Sequence, residues 1–530
     1  MSSHERGASA LARGGAAGIA TLAVERGAAL VLVAALARWL DVDEYGRLSF
    51  VVAYASVFQI LADLGLEPVL LRRLAAVDHG SHGARNAERP IGHAARNADG
   101  PTPHANRNAD GPTPDGARDA EGPTPPGAAV QRGALLAASL GLRLTLACLA
   151  ALAAVLAVTW VAERTDLRLL VAVAAPAFVW AAQPGFRALF RAEGRIGEIL
   201  RVASVGAAAT LALAGGAVLA GGGAGAVLLA TAAAQLLAFA FAAFRGRESF
   251  RLRFAVDPPL WRSLLREAWP IGANLVVAVA GIRIAPILLM RYRGAADVGA
   301  FASAGRLAES LNLVTDGAML AIFPVLARLA AVRPRELTDF AALVARYLAL
   351  GFLCVALFLS QVGEEVVTLV FGAQLAAAGP VLAVLGWNAV LSALGTLYAN
   401  LLVVVGRQRL LLVLNAVSAL AQIAVQIPLI ARFGLAGAAL GVLGAAAVNH
   451  LVLRLLPGSG DEIRACFRAA LVPAFVAVLL LALAPAVPVG TWGRAVLLPA
   501  ALLAPFATRF ARDRAVLRRL LGGRPDDGPR

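Results

Sequence analysis

VASVGAAATLALAGGAVLAGGGAGAVLLATAAAQLLAFAFAAF, residues 202–244, runs for 43 residues without one charged side chain. About 20 apolar residues cross a hydrocarbon core as an α-helix. This stretch is therefore two membrane spans, with Gly221-Gly222-Gly223 as the hairpin between them. A second uncharged run of 41 residues, Val366 to Gly406, divides the same way at Phe371-Gly372 and Gly379-Pro380. The whole chain follows suit. Of its 530 residues 59% are apolar and 15% charged, and mean hydropathy is +0.74, whereas soluble domains run near 45–50% apolar and about 25% charged. The molecule is an all-α, polytopic membrane protein.

Arginine clusters and Gly/Pro/Asp turns punctuate fourteen spans, near 16–37, 48–71, 134–162, 168–189, 202–219, 225–244, 268–290, 300–327, 341–361, 379–405, 410–431, 434–453, 469–487 and 493–509. Alternate loops differ sharply in arginine content. With arginines near span ends counted in the adjoining loops, one side, with both tails, holds 36 arginines, the other holds 8, and four lie deep inside spans. By the positive-inside rule both termini are expected in the cytoplasm. The net charge of +15 is spread in short clusters between apolar spans, not gathered into the single basic face that a nucleic-acid binder presents. No nucleic-acid partner is expected. Cys148, Cys354 and Cys466 are too scattered for a disulfide framework or a zinc site, so neither metal nor cofactor is expected. Glu25 and Arg26 interrupt what would be a signal-peptide core, which makes the first apolar stretch an uncleaved span.

Residues 76–131 differ in kind. Four elevenfold units begin at Ala84, Ala95, Asn106 and Ala117, and Gly-Pro-Thr-Pro recurs at 100–103, 111–114 and 122–125. So little large apolar surface cannot offset ordering entropy, and prolines in every unit, two per unit on average, forbid a coiled coil. A disordered cytoplasmic insert is expected. Loop length enters stability only logarithmically, so excising residues 84–127 should leave insertion and transport nearly intact. Normal expression with lost activity after excision would show that the repeat binds something.

An offset of 253 relates two regions. With Gly46 set on Gly299, Arg38 meets Arg291 and Asp63 meets Asp316. The six spans between copies are an even number, so both halves share one orientation and form two six-helix bundles about an axis along the membrane normal. The expected organisation is a tail (1–15), an N-lobe (16–244) carrying the insert, a linker (245–267) and a C-lobe (268–453). Two further spans with their preceding loop (454–509) and a basic tail (510–530) complete the chain.

Ionisable residues inside spans cost roughly 2.5–3.5 kcal/mol each and usually face a bundle interior or water. The arginines are Arg26, Arg143, Arg283 and Arg306; the carboxylates are Glu25, Asp63, Glu309 and Asp316. Arginine suits an anionic ligand because its planar fork grips phosphate oxygens bidentately and keeps its charge. Arg26 lies 12 to 13 residues from both Arg13 and Arg38, about 18–20 Å at 1.5 Å per residue, near the bilayer midplane where snorkelling helps least. It is expected to face a central cavity. Arg143 has a snorkelling alternative, and Arg306 with Glu309 at i,i+3 has mutual neutralisation as its alternative. The carboxylates are candidates for ion coupling or for structure.

The stretch Asp43-Glu44-Tyr45-Gly46-Arg47-Leu48-Ser49-Phe50, followed by Leu61-Ala62-Asp63-Leu64-Gly65-Leu66, resembles the N-terminal signature of lipid-linked oligosaccharide flippases. These are the polysaccharide-export members of the multidrug/oligosaccharidyl-lipid/polysaccharide superfamily. Ala304-Gly305-Arg306-Leu307, Phe323-Pro324, Phe371-Gly372, Ala377 to Leu382 and Phe433 to Ala439 extend the resemblance over about residues 16–455, the insert excepted. It implies a V-shaped transporter in a bacterial plasma membrane. Alternating access would carry a polyprenyl-pyrophosphate-linked oligosaccharide from the cytoplasmic to the outer leaflet, with membrane lipids as surroundings and H+ or Na+ as a coupling cation. Span seven departs from the family, which often has an acidic residue where this chain has Arg283. A drug or cation antiporter of the same superfamily would share the fold but favour acidic cavity residues. A glycan polymerase or ligase would need a sizeable outer loop with catalytic residues, and the outer loops are short. The expected protein is not an enzyme.

Overall fold

The computed structural model describes residues 3–87, 126–161, 165–250, 253–456 and 460–522. Most of the elevenfold repeat lies outside them. Fifteen helices follow in chain order: α1 (Ser3–Trp39), α2 (Val42–Asp63), α3 (Leu66–Ala87), α4 (Pro126–Val161), α5 (Thr165–Ala174), α6 (Gln183–Ala192), α7 (Ile196–Leu219) and α8 (Ala224–Gly246), then α9 (Pro258–Tyr292), α10 (Ala295–Val332), α11 (Pro334–Phe371), α12 (Gly379–Val404), α13 (Gln408–Leu455), α14 (Asp461–Leu483) and α15 (Thr491–Gly522). No strand occurs among the described residues.

Eleven described stretches are long and apolar enough to cross a membrane. The 48 residues of α13 are two of the expected spans, because Gly434 breaks the helix with φ 57° and ψ −125°. A Cβ on Gly437 would lie 1.9 Å from the Leu429 carbonyl oxygen, and one on Gly441 would lie 2.7 Å from Gln426 Cγ. Only a glycine face lets the two halves double back so closely. With α13 counted twice, α1 and the apolar Thr491–Ala507 stretch of α15 bring the spans to fourteen.

Two spans are less regular than their sequence suggested. The second is α2 and α3 joined through Leu64 (φ 43°) and Gly65 (φ 75°), and the Leu64 carbonyl oxygen would sit 2.4 Å from a Cβ on Gly272 of α9. The fourth, expected as one helix over 168–189, is α5, a 3-10 segment Ala175–Ala182, and α6. Pro176 and Pro184 remove the amide donors that an unbroken α-helix needs there. Helix also extends into both expected tails: α1 begins inside 1–15, and α15 runs on to Gly522.

Two lobes emerge, α1–α8 and α9–α13, with α14 and α15 packed against α11. The offset of 253 has a spatial meaning. A Cβ on Gly299 would lie 3.3 Å from Gly46 Cα, and one on Gly46 would lie 1.9 Å from the Ala295 carbonyl oxygen. Residues paired by the repeat thus meet where α2 crosses α10, as they must beside a pseudo-twofold axis. At that end of the bundle Arg38 Nε donates to the Val370 carbonyl at 2.9 Å, and its Nη2 donates to Leu369. Gln374 donates to the carbonyls of Ala37 and Leu40. These bonds seal the lobes at the end where the arginine count expects the outside.

Helix α9 begins inside the stretch expected as a linker and belongs to both lobes. Leu264 and Ala268 pack in the core of α3, α4 and α6, Trp261 Nε1 donates to the Ala138 carbonyl at 2.8 Å, and the Ala255 amide donates to Ala137 at 3.1 Å. Beyond Pro270 and Gly272 the same helix packs Gly281 on Ala419 of α13. The orientation is tested by reporter fusions. Those after Gly222, Gly372 and Val489 should read as outside, and those after Arg107, Arg251 and Arg524 as cytoplasmic. A cytoplasmic signal at Gly372 would break the alternation.

Candidate functional site

A cavity of about 1000 Å³ lies between the lobes, lined by residues of α1, α2 and α6–α10 together with α12 and α13. Its charged side chains are Glu25, Arg187, Arg283, Arg306 and Glu309. Three arginines face two glutamates, so the wall is cationic on balance.

The centre of that charge is a triad. Arg306 and Glu309 are one helical turn apart on α10 and share a face; their Nη1 and Oε2 are 3.1 Å apart. Arg283 reaches the same carboxylate from α9, with Nη1 3.6 Å from Oε1. The Gly281 contact that brings α9 against α13 helps set where Arg283 stands. The side chains of Arg283, Arg306 and Glu309 are 30%, 33% and 45% exposed, so a ligand in the cavity can touch all three. Guanidinium groups in a water-accessible pocket walled by low-dielectric material attract anions more strongly than they would in bulk water. Both α10 serines nearby are already committed, Ser303 to the Gly299 carbonyl at 2.7 Å and Ser310 to that of Arg306 at 2.9 Å.

Of the eight candidates, the structure brings Glu25, Arg283, Arg306 and Glu309 to the cavity. Arg26 is not among the lining residues. Successive helical residues point about 100° apart, and on α1 it is Glu25 that faces the cavity, while Arg26 turns to Asp316 of α10 at 3.1 Å. That pair ties the N-lobe to the C-lobe. Arg143 does not line the cavity either; its side chain is fully buried and bound to Asp63 across α2 and α4. Repeat-related Asp63 and Asp316 therefore each hold an arginine, one inside its own lobe and one across the gap. The position that the repeat pairs with Arg26 is Val279, so the cross-lobe pair has no counterpart there.

Sequence reasoning passed over several lining residues. Arg187 lies near the end of the fourth span and was not among the candidates, but α6, started afresh by Pro184, carries it to the cavity, with Glu67 3.4 Å away. The lining residues of α12 and α13 include no charged side chain, and Asn388, Ser392, Gln422, Asn449 and His450 are the polar ones among them. His450 donates from Nδ1 to the Ala446 carbonyl at 2.9 Å and packs beside the rings of Tyr398 and Phe467. Single neutral residues in an Ala/Leu-rich helix give no periodic signal. Among the described residues no group of His, Cys, Asp and Glu could hold a metal ion.

Residues 132–330 match the family model described as polysaccharide biosynthesis protein. No curated protein matches the chain. Among solved structures, the lipid II flippase MurJ in an inward closed conformation is similar at 11% identity and a TM-score of 0.60, over 94% of this chain and 99% of that one. An inward-facing multidrug resistance MATE family transporter of the MOP superfamily is similar at 15% identity and a TM-score of 0.58, over 85% of this chain and 95% of that one. At such identities the likeness shows the fold alone, that of a multi-pass helical membrane protein.

Proposed function

We propose that the chain moves a polyprenyl-pyrophosphate-linked oligosaccharide from the cytoplasmic to the outer leaflet by alternating access of its two lobes. The observation that carries this reading is the arginine-rich cavity between lobes that are joined at one end. A flippase must take an anionic pyrophosphate and a polar glycan past apolar material while the lipid tail stays in the bilayer. Fixed guanidinium groups meet the first need, and the neutral polar wall of α12 and α13 offers hydrogen bonds to the second. Arg283 and Arg306 take the pyrophosphate. Arg26 joins them once its bond to Asp316 opens, whereas Arg143 and Asp63 hold α2 to α4. Glu25 and Glu309 are the cavity carboxylates through which a coupling cation, H+ or Na+, would act.

A drug or cation antiporter is the second reading, favoured by the likeness to the MATE transporter and opposed by the surplus of arginine over glutamate in the cavity. Deleting the gene separates the two. The flippase reading expects lipid-linked oligosaccharide to accumulate on the cytoplasmic leaflet. Absence of accumulation removes it, and loss of drug resistance in its place favours the antiporter.

A further inference from the structure

Glu309 occupies an unusual place for a carboxylate in an anion site. It stands between the two guanidinium groups best placed for phosphate, 3.1 Å from Arg306 and 3.6 Å from Arg283, and is the most exposed member of the triad. Neutralising an arginine for the sake of membrane insertion would need one carboxylate per guanidinium, and a buried one would serve. Here one exposed carboxylate is shared by two arginines, in the position that a phosphate group would take.

We propose that Glu309 is a specificity-determining residue: an internal anion that a ligand must displace from Arg283 and Arg306, which sets the charge needed to bind. The argument rests on the flippase reading and follows from counting charge. The two arginines carry two positive charges and Glu309 returns one. A lipid joined to its sugar through a single phosphodiester carries one negative charge. Exchanging it for Glu309 leaves the electrostatics of the site almost unchanged, so such a lipid gains little. A lipid joined through a diphosphate carries two negative charges and two pairs of non-bridging oxygens, enough to satisfy both guanidinium forks at once. Displacing Glu309 is favourable for the diphosphate alone. The same exchange eases release, because the carboxylate stays tethered one helical turn from Arg306 and reclaims both arginines as the ligand departs. Asp316 stands two turns further along the same face of α10 and holds Arg26 in the same manner at 3.1 Å, so that one helix masks all three arginines.

The test uses the full-length protein in lipid nanodiscs and two synthetic probes with one sugar and one short prenyl chain, farnesyl diphospho-glucose and farnesyl phospho-glucose. The wild type should prefer the diphosphate by about tenfold or more, the scale expected of one extra charge near two guanidinium groups. Glu309→Gln should bring the two affinities to within about threefold of one another, chiefly through tighter binding of the monophosphate probe. Glu309→Asp should keep the wild-type preference, and Glu309→Ala replaces the Gln variant if the latter fails to fold. An unchanged preference in the Gln or Ala variant overturns the proposal. Equal binding of both probes by the wild type overturns it too but leaves the flippase reading standing. A wild type that binds neither probe brings down both.

Discussion

Alanine at both Arg283 and Arg306 is expected to abolish flipping while the protein still inserts and folds. Hydrogen bonds to charged groups contribute about 1.5–3 kcal/mol each. Loss of both forks should weaken pyrophosphate binding by about two to four orders of magnitude. Folding should survive, because neither arginine is buried in a core; both stand exposed to the cavity between the lobes. Insertion should if anything improve, since each charge removed from a span saves roughly 2.5–3.5 kcal/mol. Lysine at either position should restore only part of the activity, because a point charge lacks the planar fork. Flipping of a fluorescent lipid-linked oligosaccharide in proteoliposomes is the measurement, with detergent-solubilised yield as the control. A double variant that flips at the wild-type rate would place the anion elsewhere.

How legible this site was in the sequence depends on what kind of signal each part leaves. Span number was legible, because an uncharged run of 43 residues can only be two crossings. One offset paired Gly46 with Gly299 as letters, and the two turn out to touch. Breaks within spans were half legible. Gly434 and Pro184 announce theirs, while the break at Leu64-Gly65 sits in a sequence that reads as continuous helix. Helical phase was not legible at all. A span such as α1, apolar on most sides, has no amphipathic stripe to say which of Glu25 and Arg26 turns inward; that choice is made by α10, which presents Asp316 to one of them. The same holds for Arg143, whose partner Asp63 is eighty residues away in sequence and becomes a neighbour only after α2 packs on α4. The charged residues singled out in the spans were thus divided into cavity and core only by tertiary contacts, and Arg187 was passed over.

That division can be tested at Asp63 and Arg143, where the expected effect is on stability. Arg143 has no exposed side-chain surface and Asp63 is 22% exposed. Removing one partner of a buried ion pair leaves an uncompensated charge, at a cost of about 3–5 kcal/mol. Arg143→Met should therefore lower the midpoint of thermal unfolding markedly and reduce the yield of folded protein. Asp63→Leu alone should do the same, since it removes the carboxylate that pairs with the buried guanidinium. Replacing the pair with well-packed apolar residues is commonly neutral or stabilising, so Asp63→Leu with Arg143→Met should recover most of the lost stability. If both residues serve only to hold α2 on α4, the double variant also recovers transport. A double variant that is as stable as the wild type yet fails to flip would show that the pair acts in the transport cycle. Arg143→Met that folds normally and fails to bind the diphosphate probe would return Arg143 to the ligand site.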